Sequence, residues 1–417
     1  MKTFRLLYQL SFYFLAFIIF VIGGLGQFLL GISNTIMTFF LMVSLLLVYV
    51  IYIFLKARIV FNRVVLIAIL YVLTIVLSAT LNKSHVVSTL VYFIFPFLPL
   101  SVYLYSYINF KEEFLTFEKV FKFFFYIGLI QLPILLIQQN LYDFLMRFNK
   151  SGQTIESLDF MFGSFFIKSD HSLGVFLLLL IATILYQRKR VARIVLMPWL
   201  SILYLLTTLF LTESNISKLV AVILMLTTLV VPLYRKYGQG IIFKLVTIVI
   251  GISFVIAGYS LKDKPFIQKR LGGPLQEQLS MDRAERYYEL GTAKRFQIVM
   301  VAAGRLETKW IGDGPYSYFD IRSGRFTKAP HFSQLLWTYF DLGLIGLLVV
   351  ITYLWVITGS LHLKGGVITY FVFGVLMIYS FYTTLLSDIA MLYSIFFILT
   401  GGGGKRISSL SLPALQR

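Results

Sequence analysis

Long apolar runs follow one another along almost the whole chain, and that succession limits the fold more than any motif does. A helix needs about 20 mostly apolar residues to cross a bilayer. Runs of this kind cover 6–23, 29–55, 64–81, 90–108, 120–140, 170–186, 194–211, 219–234, 242–260, 334–357, 367–384 and 388–401. They predict an all-α polytopic membrane protein of about twelve transmembrane helices, or eleven if the last two, which meet at a poor boundary at Ser387-Asp388, form one. Charged residues make up only 13%, against about 25% in an ordinary soluble domain, which agrees with a chain built for lipid. The opening MKTFRLLYQLSFYFLAFIIFVIGG starts like a signal peptide. Its apolar run is too long for one and no A-x-A site ends it, so it reads as the first transmembrane helix.

The net charge of +19 does not point to nucleic acid, because the basic residues are scattered over short loops rather than gathered in a stripe. With no cysteine in the chain, disulfides, thiolate metal sites and a cysteine nucleophile are excluded. Lysine and arginine follow the connections unevenly. With the N-terminus inside, nineteen lie in inner segments, among them Lys56, Arg63, Lys111, Arg188, Arg190 and Arg193. Five lie in short outer loops: Lys83, Arg147, Lys150, Lys168 and Lys218. The bias places both termini in the cytoplasm and the one long polar segment outside.

That segment, 262–333, divides the chain. It separates an N-terminal bundle of about nine spans (1–261) from the C-terminal membrane helices (334–401), which a flexible cytoplasmic tail (402–417) follows. Thirteen Lys+Arg and eight Asp+Glu give 262–334 a local charge of +5. A loop this long escapes charge control of topology, so its cations suit an anionic ligand. Helices are expected in it. Met281–Leu306 has apolar residues at near-helical spacing, with Asp282 as N-cap, Gly304 as stop and Gly291 as a point where it divides. Trp310–Pro315 reads as a turn. Of the other outer segments, Leu141–Asp170 reads as an amphipathic element at the interface, and the loop near Gly23–Gln27 holds no acid.

Four histidines occur, and His331 lies where the basic loop meets the membrane, so it is the candidate general base; the plain alternative is a helix cap. Arg283, Arg286, Lys294, Arg295, Arg305, Arg322, Arg325 and Lys328 could clamp phosphate, the arginines through guanidinium forks, against the plain alternative of a solvated face or attachment to anionic lipid headgroups. Asp341 and Asp388 are carboxylates in or beside membrane spans and so candidates for function. Asp341 lies ten residues past His331, too far for a direct pair, and reads as a buried structural acceptor. His85, His171 and His362 read as surface or interface histidines. No cluster has metal-ligand spacing, so neither a metal nor another cofactor is indicated.

Four stretches resemble the family of O-antigen polymerases and ligases: GSFFIKSDHSLGVFL (163–177), LTESNISKLVAVILM (211–225), KRFQIVMVAAGRLETKWIGDGPYSYF (294–319) and APHFSQLLWTYFDLGLIGLL (329–348). The last departs from the family pattern. Phe332 stands where Asn, Ser or Gln is usual, Gly343 comes one residue late, and Gln334 is the nearest amide. The resemblance implies a bacterial inner-membrane protein with a periplasmic loop. It implies inverting, metal-independent glycosyl transfer from an undecaprenyl-diphosphate-linked glycan to another lipid-linked repeat unit. His331 would be the base, and Arg295 and Lys218 the diphosphate-binding pair, with Arg322, Arg325, Arg283 and Arg286 assisting on charge alone. Gln334 and Tyr316 would contact substrate. Membrane lipid, a chain-length regulator and a flippase are the further partners implied. A ligase acting on lipid A core is the alternative within the family. A transporter or flippase is the alternative outside it, disfavoured by few intramembrane charges and no internal repeat.

Overall fold

The computed structural model describes residues 2–56, 59–153, 155–157, 159–167, 169–237, 280–289, 295–304, 309–317, 319–320, 325–326, 332–361 and 366–402. The expected span at 242–260 and the tail beyond Gly402 lie outside them.

The described chain is helical apart from one two-residue antiparallel pairing. Its N-terminal part runs through α1 (Lys2–Phe17), a π turn (Ile18–Ile22), α2 (Gly23–Leu30), α3 (Asn34–Lys56), α4 (Arg63–Leu81), α5 (Val86–Tyr92) and α6 (Ile94–Lys111). It continues with α7 (Phe117–Asn140), α8 (Tyr142–Met146), α9 (Asp170–Tyr186), α10 (Arg188–Val191), α11 (Pro198–Leu211) and α12 (Asn215–Tyr237). The polar segment contributes α13 (Met281–Glu289), α14 (Arg295–Gly304), β1 (Phe319–Asp320) and β2 (Arg325–Phe326). The chain closes with α15 (Gln334–Ser360), α16 (Gly366–Tyr382) and α17 (Ile389–Gly402).

Among the described residues, six helical stretches are long and apolar enough to cross a membrane: Arg5–Leu30, Asn34–Lys56, Arg63–Leu81, Val86–Lys111, Phe117–Asn140 and Gln334–Ser360. Five further apolar helices have shorter described stretches, α17 among them. Residues 389–398 are all buried, with Tyr393, Phe396 and Phe397 fully so. A helix apolar on every side belongs in the core of a bundle. α17 is that core, packed by α6, α7 and α9, with Tyr393 stacked on Phe397 at 4.4 Å between centroids and Phe12 against both. Large apolar side chains such as Leu47, Phe54, Leu66 and Leu203 stay exposed on the outside of α3, α4 and α11, an apolar surface of the kind that contacts lipid.

Alternating connections give the bundle two ends. At one, Glu112 pairs with Lys56 at 3.5 Å, and Arg190 bonds Glu118 at 2.8 Å and the Gly401 carbonyl at 3.0 Å. At the other lie the turns around 31–33, 82–85, 212–214 and 383–388.

Three sequence expectations need correction. The loop expected near Gly23–Gln27 is helix α2, and the chain turns instead at 31–33. Its glycines admit a neighbour: a Cβ at Gly24 would stand 2.0 Å from the Phe165 carbonyl oxygen. Leu141–Asp170 does not lie on a surface as an amphipathic element. After the short α8, Ile155, Phe160 and Phe162 are buried against Phe28, and Phe165 and Phe166 enter the main core. Asp282 sits inside the first turn of α13 rather than capping it; the Ser280 carbonyl accepts the Ala284 N–H at 2.9 Å. The expected division near Gly291 lies outside the described residues, as do residues 305–308 after the expected stop at Gly304.

The strongest local constraint lies in α15. Gly343 has φ 71° and ψ −164°, which breaks the helix. Such a break frees the carbonyls of Phe340 and Asp341 and the N–H groups of Leu344 and Ile345. The segment Lys309–Gly314 takes up all four. Asp313 N–H donates to Phe340 O and Gly314 N–H to Asp341 O, both at 2.9 Å. Leu344 N–H donates to Lys309 O at 2.9 Å and Ile345 N–H to Trp310 O at 3.2 Å. From α4, Ser78 Oγ adds a bond to Asp341 O at 2.9 Å, and Asn82 Nδ2 holds Gly312 O at 2.7 Å. Asp341 completes the joint, accepting the Tyr316 N–H at 3.0 Å and the Ser317 hydroxyl at 2.9 Å on its two carboxylate oxygens. This is the structural role expected for it.

A Cβ at Gly343 would meet the Trp310 carbonyl oxygen at 2.5 Å, and a strained φ alone costs on the order of 1–3 kcal/mol. Gly343→Ala should therefore lower the thermal unfolding midpoint in detergent or nanodiscs clearly. Gly359→Ala, in the same helix with open space around it, should leave the midpoint level or raise it. Equal midpoints for the two variants would refute this account of the joint.

Candidate functional site

The end of the bundle opposite the Glu112–Lys56 pair carries the site, and its floor is not helical. Residues 163–167 run as a strap inside the bundle. Backbone groups buried without partners cost about 1–3 kcal/mol each, so a strap of this kind needs side-chain donors and acceptors. Three glutamines supply them. Gln138 accepts the Gly163 N–H and donates to its carbonyl, both at 2.9 Å. Gln131 accepts the Ser164 N–H at 3.0 Å and donates to Ser164 Oγ at 2.8 Å. Gln27 accepts the Ile167 N–H at 2.9 Å. Ser164 Oγ in turn donates to the Phe20 carbonyl in the π turn.

Above the strap lies a cavity of about 230 Å3. Phe166, Ile167 and Ser169 form one wall and His171 and Ser172 at the start of α9 another. Thr383, Thr384, Ser387 and Asp388 line it from the α16–α17 connection, with Asn34 and Thr38 of α3 and Phe332 before α15. Asp388 is held in place: one carboxylate oxygen accepts the Met391 N–H at 2.9 Å and the other takes the Ser172 hydroxyl.

A chain of hydrogen bonds leads from the cavity into the bundle. His171 Nδ1 bonds Ser214 Oγ at 2.7 Å, Ser214 Oγ bonds Ser217 Oγ at 2.6 Å, and Ser217 Oγ bonds the fully buried Tyr379 hydroxyl at 2.7 Å. The Thr383 N–H donates back to the Tyr379 carbonyl at 2.7 Å, and the Gln334 N–H donates to Thr383 O at 3.1 Å. The first turn of α12 and the N-terminus of α15 are thereby tied to the cavity wall.

The sequence candidates are distributed unevenly about this site. His331 and Arg322 lie outside the described residues, as does His362. Arg295 opens α14 and Arg325 opens β2, with both side chains outside the described set. Lys218 follows Ser217 on α12, half-buried. Arg283 and Arg286 are exposed on α13 and do not line the cavity. Tyr316 does not line it either. Its ring packs on Tyr92 and Trp337 at 5.4 and 5.2 Å, and burial, then the Asp341 charge, push its phenol up from the ordinary value near 10. Gln334 is fully buried, with its amide nitrogen 3.3 Å from Thr338 Oγ1 and, among the described residues, no partner for Oε1.

Two residues gain weight. His171, read from sequence as an interface histidine, lines the cavity, and Asp388 faces it from the opposite chain segment. The one sequence sign of this was a carboxylate beside an apolar span, which marked Asp388 but could not pair it with residues some two hundred positions away. No group of three or more potential metal ligands occurs among the described residues. Comparison with protein-family models, with curated proteins and with solved structures returns no match.

Gln138→Leu would leave both the Gly163 N–H and carbonyl buried without partners, costing about 1–3 kcal/mol for each group. A lower unfolding midpoint is expected in nanodiscs. An unchanged midpoint would mean that the strap does not depend on the glutamine.

Proposed function

We propose that the chain is a membrane-embedded glycosyltransferase that joins lipid-linked glycan repeat units, working at the cavity end of the bundle. The observation that supports this reading most is convergence. Of the four stretches that resemble the polymerase and ligase family, 163–177 supplies the strap, His171 and Ser172, and 211–225 supplies Ser214, Ser217 and the adjacent Lys218. The stretch 329–348 brings Phe332 to the wall and Gln334 to Thr383, and 294–319 is stitched to α15 through Lys309–Ser317. Residues far apart in sequence thus meet at a polar cavity. On this reading the cavity faces the periplasm, both termini lie in the cytoplasm, and the six long apolar helices sit in a bacterial inner membrane.

The transfer is a displacement at the anomeric carbon. The acceptor hydroxyl oxygen forms the new bond as the bond to the lipid diphosphate breaks, and the diphosphate leaves with the electron pair. A general base takes the hydroxyl proton; His331, next to Phe332 in the chain, is assigned that role. The departing diphosphate gains negative charge, which preorganised cations stabilise. Arg295 and Lys218 are assigned to it, and no metal is invoked.

The test uses purified protein in nanodiscs with undecaprenyl-diphosphate-linked repeat units alone. A ladder of lengthening glycans is expected. His331→Ala should slow it by about 10²–10⁴-fold, the usual contribution of general acid–base catalysis. Arg295→Ala should slow it too, and Arg295→Lys less so. A ladder unchanged by His331→Ala would remove the base. Product only when lipid A core is added would make the protein a ligase, and no product with either acceptor would overturn the transferase reading.

A further inference from the structure

The end of the bundle that holds the Glu112–Lys56 pair carries charge almost entirely of one sign. Residues 1–142, 171–212 and 389–417 contain three acids, Glu112, Glu113 and Glu118. Two of them are engaged: Glu112 by Lys56 at 3.5 Å and by the Tyr52 hydroxyl at 3.0 Å, and Glu118 by Arg190 at 2.8 Å. Arg190 is committed further to the Gly401 carbonyl at 3.0 Å, and its guanidinium lies over the Phe117 ring at 4.2 Å. This arginine joins α10 to α7 and α17 and belongs to the fold.

The cations around it face outward. Arg188 and Lys189 on α10 and Arg193 just after it are exposed, and so are Lys119 and Lys122 on α7. Lys122 stands one helical turn beyond Glu118, on the side of α7 that α10 meets. None of the five pairs with an acid among the described residues. Apolar side chains border the set. Tyr186 ends α9 and Trp199 lies in the first turn of α11, both exposed, and Leu196 between them is 86% exposed, with Met197 and Leu200 beside it.

Aromatic rings settle at the headgroup boundary of a bilayer, and cations just beyond it meet lipid phosphates. A soluble anion would have no use for the apolar border. Charge that served only to set topology would not need to be gathered from two elements, since topology depends on the number of basic residues near the ends of a span.

We infer that α10, residues 192–197 and the first two turns of α7 form a docking face for anionic phospholipid headgroups. Arg188 and Arg193 offer forks to the phosphate, and Lys119, Lys122 and Lys189 add charge. The inference goes beyond the transferase reading and does not depend on it.

The test uses full-length protein in phosphatidylcholine nanodiscs doped with photoactivatable phosphatidylglycerol or photoactivatable phosphatidylcholine, the reactive group placed at the glycerol end of an acyl chain. Crosslinked peptides are then mapped. Phosphatidylglycerol should label 186–200 at least about fivefold more than phosphatidylcholine, because a single cation near an anionic surface already contributes about that factor. Arg188→Gln/Lys189→Gln/Arg193→Gln should bring its labelling down to the phosphatidylcholine level. The same loss of charge at the opposite end, Lys83→Gln/Arg147→Gln/Lys150→Gln, should leave it unchanged. Inorganic phosphate should compete no better than chloride at equal ionic strength. Equal labelling by the two lipids in the parent would overturn the inference without any variant. So would labelling that survives the first triple variant, labelling lost equally in the second, or selective displacement by phosphate, which would mark a site for a soluble anion. The variants are compared at matching unfolding midpoints, and where the midpoints differ the lipid ranking in the parent decides.

Discussion

The exchange of backbone partners at Gly343 is the interaction on which the rest of the structure depends. Four peptide groups freed by one left-handed residue would be costly in a dry helical bundle. Lys309, Trp310, Asp313 and Gly314 satisfy all four, so this stretch is built into α15 rather than resting on it. Asp341 makes the same joint from its side chain, which explains a buried carboxylate whose oxygens both face donors. Ser78 and Asn82 extend it to α4. Residues 309–317 are therefore fixed at the same end of the bundle as the cavity.

A second irregularity, the strap at 163–167, follows the same logic with different means. Where the break in α15 is satisfied by backbone, the strap is satisfied by the amides of Gln27, Gln131 and Gln138. An amide can donate and accept at once, which matches a peptide group in geometry and avoids a buried charge. Non-helical backbone at such depth is tolerated where protein surrounds it or where it lines a cavity, and the strap does both. The π turn and Gly24 make room for it.

On the reading proposed, Lys218 at the start of α12 stands beside the hydrogen-bonded chain that runs from the cavity wall into the bundle. The buried chain from His171 to Tyr379 ties the cavity wall to α12 and α16.

The helical class, the apolar runs and most of their limits were determined by the sequence alone, because hydropathy over some twenty residues is a local property. So was the structural standing of Asp341. The meaning of short apolar runs was not: α17 has the composition of a weak span, yet tertiary packing makes it the centre of the bundle. Gly23–Gln27 resembles a loop until Phe165 is placed against Gly24, and the aromatic pairs of 160–166 resemble a surface element until Gln131 and Gln138 meet their backbone. His171, Ser214 and Asp388 are remote in sequence, and each alone reads as ordinary. Only the tertiary structure decided that they share a cavity, because hydrogen bonds between separate helices depend on how the helices pack, and no local pattern encodes that.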